Sequence, residues 1–346
     1  MLIREIGEFG LIGRLMGGRS LPPGVIRGAG DDAAVLQISR DSRLLVTGDM
    51  LVEGTHFLRD QASFFDLGYK LLAVNLSDIA AMAGIPRFAV VFLGLPADLT
   101  VEAVEELYRG LQYLADRHRV AIVGGDTVRC QLLTLGLTLL GEGKPSQVLL
   151  RSGARAGDLL AVTGTLGGSA AGLAVVLGQV AVEEESAREA LAAHYRPQPR
   201  VEEGLRLGLL KSVGAMIDIS DSLASEVAHL CRESGVGAEL WGEAVPIAPE
   251  VPRIAQELGQ SPLHLALYGG EDYELLFAVN PAGWERVKAE MAELGTPVTA
   301  IGKFTASPGK IELVVSGQRQ PLAGNGYDHF KKTSRRVSSC DRRRSP

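Results

Sequence analysis

Aspartates at glycine-flanked or turn-placed sites, several of them directly after apolar runs, constrain this chain more than any other feature. Five such sites punctuate it: Gly30-Asp31-Asp32, Gly48-Asp49, Asn75-Leu76-Ser77-Asp78, Gly124-Gly125-Asp126-Thr127 and Asp218-Ile219-Ser220-Asp221. The stretches Arg43-Leu44-Leu45-Val46-Thr47 and Val120-Ala121-Ile122-Val123 that precede two of them read as buried strands. Carboxylates at strand ends can converge on one point. They do not do so without a counter-charge, because a desolvated carboxylate costs on the order of several kcal/mol or takes up a proton. A hard divalent cation is the usual counter-charge, and Mg²⁺ held by a few carboxylates plus substrate phosphates is its usual use.

Each site alone also has a plain structural reading. Asp31-Asp32 and Asp49 suit turn capping, and Ser220 or Asp221 suits a helix N-cap. The set together, with no rival Cys or His ligand cluster, favours the cation. Asp78 stands inside a helical stretch, where Asp is a poor helix former, and a buried role explains it better than a solvated face.

The 346 residues exceed one typical core and suggest two domains of roughly 150 residues each. The expected boundaries are 1–148 and 149–330, with 331–346 as a tail. That tail carries seven basic residues against one acidic one and reads as disordered. The whole chain is at −6, so no global basic field draws nucleic acid. Cys130, Cys231 and Cys340 are far apart and form no CxxC, which fits a reducing cytosol rather than a disulfide framework or a zinc site. Cys130 and Cys231 read as core or near-core residues. Arg4, Glu5 and Glu8 interrupt any signal-peptide core, and no apolar run approaches the ~20 residues of a membrane span. A soluble cytoplasmic protein is expected.

Helical spacing marks 8–16, 64–82, 101–117, 170–177, 183–194, 201–210, 223–234 and 282–294. Short apolar runs mark strands at 44–47, 88–95, 120–123, 132–140, 158–163, 215–217, 273–279, 298–302 and 311–315, and a glycine-rich loop enters another by Val35. The mixture implies an α/β (α+β) fold in both halves, with mixed sheets packed against helices. There is no Walker A triplet and no H-E-x-x-H. Gly164 to Ser169 opens a helix and suits an anion cradle or a plain strand-to-helix turn equally. Gly269-Gly270-Glu271-Asp272-Tyr273-Glu274 is a second dense acidic turn, where Glu271 suits hydrogen bonds from a base or amine, or simple exposure. His56 suits a phosphate contact or an exposed loop, and Arg151 suits a phosphate clamp.

Taken in order, Gly7-Glu8-Phe9, Gly30-Asp31-Asp32-Ala33-Ala34, Asp49 through Gly54-Thr55-His56-Phe57, Lys70 through Asp78 to Met82, Gly124-Gly125-Asp126-Thr127, Asp218-Ile219-Ser220-Asp221, Gly269 through Leu275 and Gly326-Tyr327-Asp328-His329-Phe330 resemble the thiamine-monophosphate kinase family. The match runs from about residue 5 to 330, within the aminoimidazole-ribotide-synthetase-like superfamily. The resemblance implies a two-domain chain, a homodimer formed through the amino-terminal half, and ATP-dependent phosphorylation of thiamine monophosphate. It implies a Mg²⁺ cluster on Asp32, Thr47, Asp49, Asp78, Asp126, Asp218 and Asp221, of which Asp49, Asp78 and Asp126 are catalytic. It implies ATP contacts at Tyr108, Gly125, Asp126, Arg151 and Ser220, and thiamine monophosphate contacts at His56, Glu271 and Tyr327. Two positions depart from the family pattern. Gly48 replaces a hydroxyl residue, and Ser222 replaces a glycine. A selenophosphate synthetase would need a reactive Cys before Cys130, and a carbamoyl-dehydrating enzyme would end in one; Cys340 in its basic surroundings matches poorly.

Overall fold

A computed structural model of the chain describes residues 23–28 and 31–322, together with Glu5, Ile6, Gly10 and Arg14 in helical conformation. Gly30, Tyr327, Cys340 and the basic tail lie outside the described residues.

The first half builds a sheet from β1 (Val25–Arg27), β2 (Ala34–Gln37), β3 (Arg43–Val52), β4 (Ile85–Leu95), β5 (Ala121–Arg129) and β6 (Thr134–Gly143). Their spatial order is β1-β2-β3-β6-β4-β5, so β3 and β5 stand three strands apart. Helices α1 (Phe64–Ala81) and α2 (Val101–His118) pack on one face. The second half builds a sheet from β7 (Leu159–Thr163), β8 (Val213–Asp218), β9 (Gly237–Trp241), β10 (Leu275–Val279), β11 (Val298–Thr305), β12 (Ile311–Val315) and β13 (Gln318–Pro321), in the order β13-β12-β9-β11-β7-β10-β8. Helices α3 (Gly168–Val176), α4 (Glu184–Tyr195), α5 (Val201–Gly208), α6 (Leu223–Ser234), α7 (Val251–Glu257), α8 (Pro262–Tyr268) and α9 (Trp284–Glu293) accompany it. Pairing is antiparallel except for β4 with β5 and β9 with β12.

Helix α1 is the hub. Ser63 caps it by accepting from the Asp66 amide, and Gly84 and Pro86 follow its end. Fourteen of its eighteen residues are buried, because it is covered on nearly all sides. Gly68 lets it touch α2: a Cβ there would lie 1.8 Å from the Leu107 carbonyl oxygen. Helix α5 and strand β8 of the second half pack on it as well. One apolar core therefore runs from Leu45, Leu71 and Ile79 through to Met216 and Phe277. A second core, around Ile217, Leu230 and Phe304, lies on the other face of the second sheet.

The sequence pattern missed β1, β9, β13, α7 and α8. Strand β9 carries Glu239 at its centre, where Lys303 and Arg319 hold the carboxylate; a charge in a five-residue strand hides the alternation. The two helices are only seven residues long, too short to show a period. Strand β5 continues through Gly124-Gly125-Asp126 to Arg129, so Asp126 is mid-strand rather than at a strand end, and the same holds for Asp49 in β3. Cys231 is buried as expected, but Cys130 is exposed. It follows β5, which lies at the open edge of the first sheet.

Candidate active site

Asp32, Asp78 and Asp218 come from a turn before β2, from the last turns of α1 and from the end of β8. Each places one carboxylate oxygen within 4.8 Å of the other two. Asp49 of β3 lies next to Asp78. Hydroxyls hold the acids in place. Ser77 Oγ donates to Asp218 Oδ2 at 2.6 Å, and Thr47 Oγ1 donates to Asp78 Oδ2. Arg151 grips Asp32 Oδ1 through Nη2 at 2.6 Å and Nε at 3.2 Å, and its amide nitrogen donates to Asp31.

The charges are frustrated. Burial, then the charges of Asp49, Asp218 and Asp32, push Asp78 well above the ordinary carboxylate range. Burial and Asp32 push Asp218 up to about 8, and burial pushes Asp49 up to about 6. Asp32 is raised by burial even with Arg151 beside it. One guanidinium does not neutralise four carboxylates, and Asp32 Oδ2 is buried without a hydrogen-bond partner. Hard oxygen donors, excess negative charge and an orphaned carboxylate oxygen all fit a divalent cation such as Mg²⁺.

Asp221 follows at the start of the turn into α6, half-buried, with its amide nitrogen donating to Glu226 Oε1 at 3.3 Å. Glu226 is a further buried acid that the sequence reading missed. Burial, then Asp221 and Asp218, raise it well above its usual range. A Glu in the first turn of a helix is so ordinary a choice that nothing in the sequence marks it.

The second acidic turn abuts the first. The Glu271 amide nitrogen donates to Ser220 O at 2.6 Å, and that of Tyr273 donates to Ile219 O at 2.9 Å. Gly270 permits the approach, since a Cβ there would lie 2.5 Å from Ser220 O. Burial first, then the charges of Glu271, Asp49, Asp218 and Asp78, raise the Tyr273 hydroxyl well above its usual range. His56 Nδ1 accepts from the Val52 amide at 3.0 Å, so its proton sits on Nε2.

Asp126 with its neighbour Gly125, and Tyr108, stand apart. Asp126 pairs with Phe92 across β4–β5 and shares its exposed side of the sheet, whereas Thr47 and Asp49 face Asp78 on the helix side. Gly48 lies on the exposed side too, so a hydroxyl at that position would not have faced Asp78. The Gly125 backbone presses on β4, with a Cβ position only 1.8 Å from Val91 O. Tyr108 is an exposed residue of α2. Tyr327 lies outside the described residues.

Comparison with known proteins identifies the family. Residues 30–142 match the family model described as AIR synthase related protein, N-terminal domain, and residues 155–314 match its C-terminal domain. The thiamine-monophosphate kinase of Salmonella typhimurium is 40% identical over 94% of this chain and 98% of its own length. The enzyme of that name from Bacillus subtilis is 37% identical over 88% and 93%. The chain belongs to the thiamine-monophosphate kinase family. A solved family structure, AaThiL complexed with AMPPCP and TMP, shares the α/β fold with a TM-score of 0.82 at 32% identity, covering 95% of this chain and 99% of that one.

Proposed function

We propose that this chain transfers the γ-phosphoryl group of ATP to the phosphate of thiamine monophosphate, giving ADP and thiamine diphosphate. The observation that carries the reading is the meeting of three carboxylate oxygens from distant segments within 4.8 Å, in a chain of this family. The solved relative bound to a nucleotide analogue and TMP supports both substrates.

A phosphate oxygen of the acceptor is already anionic near neutral pH, so no strong general base is needed. Its lone pair forms the new bond to the γ-phosphorus. The bond from that phosphorus to the bridging oxygen breaks, and its electron pair leaves on ADP. Charge and alignment are the difficulty, because two polyanions must meet. Magnesium held by Asp32, Asp78 and Asp218, with Thr47, Asp49, Asp126 and Asp221 as further donors, would offset that repulsion and the charge of the transition state. Arg151 braces Asp32 and adds a cation beside the phosphates. Gly125, Tyr108 and Ser220 serve the nucleotide, and His56, Glu271 and Tyr327 serve the thiamine phosphate.

The two halves divide the work: 1–148 carries most of the metal and nucleotide contacts and self-association, and 149–330 closes the cleft and adds Arg151, Asp218, Ser220 and Asp221. The outer face of the first sheet exposes Met50, Phe88, Phe92 and Val128 across β3, β4 and β5, an apolar patch suited to a second copy of the chain. Among the described residues no helix is long and apolar enough to cross a membrane, which fits the cytoplasm as the place of work.

A coupled ADP assay with thiamine monophosphate and a panel of other phosphates, with and without Mg²⁺, tests the reading. ADP release that requires both thiamine monophosphate and Mg²⁺ is expected. ATP binding without turnover would instead make the chain a nucleotide-binding module.

A further inference from the structure

Lys70 is among the largest fully buried side chains of the described residues, 1% exposed in the middle of α1. Burying an ammonium costs several kcal/mol unless a partner compensates. Its ion-pair partner among the described residues is Glu271, with Nζ 3.0 Å from Oε1. The other oxygen, Oε2, faces His194 Nδ1 of α4 at 3.5 Å, and Ser169 Oγ of α3 stands 3.0 Å from the same nitrogen. His194 is 2% exposed, and burial, then the Lys70 charge, lower it to about 4, so it is neutral near pH 7. Three helices thus meet behind one carboxylate.

Glu271 differs from its partners. Its side chain keeps 28% of its surface, and its backbone is in the left-handed region at φ +64°. Residues other than glycine rarely adopt that conformation, and Tyr273 repeats it at +51° two residues on. Strain, a buried cation and a buried imidazole all serve to hold one partly exposed carboxylate in a fixed direction beside the acidic cluster.

We propose that Lys70 is a positioning residue for the thiamine monophosphate subsite: from inside α1 it anchors the Glu271 carboxylate, with His194 on the second oxygen, so that Glu271 meets the N–H donors and positive charge of that substrate. The inference rests on the kinase reading above. Glu271 touches the substrate; Lys70 acts only through it. A lysine serving the core alone would stabilise the fold without favouring one substrate over the other.

Steady-state kinetics of the full chain with Mg²⁺, for Lys70→Met, Glu271→Gln and the double variant, separate these roles, with melting curves alongside. Lys70→Met is expected to raise the KM for thiamine monophosphate about 10-fold or more, as loss of a charged contact from Glu271 to the substrate implies, while the KM for ATP stays within about 2-fold. In the Glu271→Gln background the same change is expected to leave the thiamine monophosphate KM nearly unmoved, because the anchored group is already gone. That double variant also keeps the test alive if Lys70→Met alone does not fold, since replacing both members of a buried pair is commonly tolerated. Equal increases in both KM values, an unchanged thiamine monophosphate KM, or full additivity on Glu271→Gln would each overturn the inference. A wild-type chain that does not turn over thiamine monophosphate would overturn the kinase reading itself, a result visible before any variant is made.

Discussion

Ser77 and Asp218 lie 141 positions apart, yet Ser77 Oγ donates to Asp218 Oδ2 at 2.6 Å in the buried contact between α1 and β8. The bond ties the two halves of the chain at the point where the acids gather. Removing a hydrogen bond to a buried carboxylate leaves that oxygen unsatisfied, at a cost of about 1–3 kcal/mol. Ser77→Ala is therefore expected to lower stability by that amount, read as a fall in the urea midpoint with an unchanged slope. An unmoved midpoint would mean that water replaces the hydroxyl.

Asp78 sits in a field of like charge, and its carboxyl is raised well above the ordinary range by burial and by Asp49, Asp218 and Asp32. An amide of the same shape relieves that repulsion but binds a cation poorly. Asp78→Asn should melt higher than wild type without divalent cations, and should lose turnover by a factor on the order of 10² or more. Single-turnover rates beside melting curves decide this. Wild-type rates would remove Asp78 from the machinery.

The same frustration sets a pH dependence. Burial and neighbouring carboxylates raise Asp218 to about 8 and Asp49 to about 6 in the folded chain, against about 4 when unfolded. Between those values the folded state holds more protons than the unfolded one, so stability falls as pH rises. The contribution is fully present below about pH 4 and is lost by about pH 8. The metal-free protein is thus expected to lose stability from this cluster across that window, and saturating Mg²⁺ to restore more at pH 8 than at pH 5. Thermal melts in EDTA and in Mg²⁺ at both pH values check the sign. Equal Mg²⁺ shifts at pH 5 and pH 8 would argue against cation binding by these acids.

How much of this was legible in the chain differs residue by residue. Asp32 announces itself beside a glycine, Asp78 as a poor helix former inside a helical stretch and Asp218 at a strand-to-helix turn, and the structure brings all three together. Lys70 and His194 do not. A lysine on a helix normally reads as a solvated residue, and only the crossing of α5 and β8 over α1 buries that helix on so many sides. Glu226 is hidden for a similar reason, since a first-turn Glu is what any helix would choose. Asp126 shows the opposite limit. The motif was visible, but residue spacing carries no information on which face of a continuing strand the carboxylate takes.

That face has a consequence for assembly. Asp126 on β5 is three strands from Asp49 on β3, roughly 14 Å at about 4.8 Å per strand, and it faces the other side of the sheet. The two cannot ligate one cation within a single chain. Only where a strand end opens onto the Met50–Phe92 face can Asp126 of a twofold-related copy reach the other chain's acids. If Asp126 serves the partner's acidic cluster, a mixture of Asp78→Asn and Asp126→Asn chains should regain activity that neither has alone. In each hybrid dimer one site then holds both an intact Asp78 and an intact Asp126. Co-expression with two affinity tags isolates the hybrid for assay. Phe92→Asp is expected to yield monomers by analytical ultracentrifugation, and with them inactivity. A hybrid as dead as its parents would place Asp126 in its own chain's site or outside the chemistry altogether.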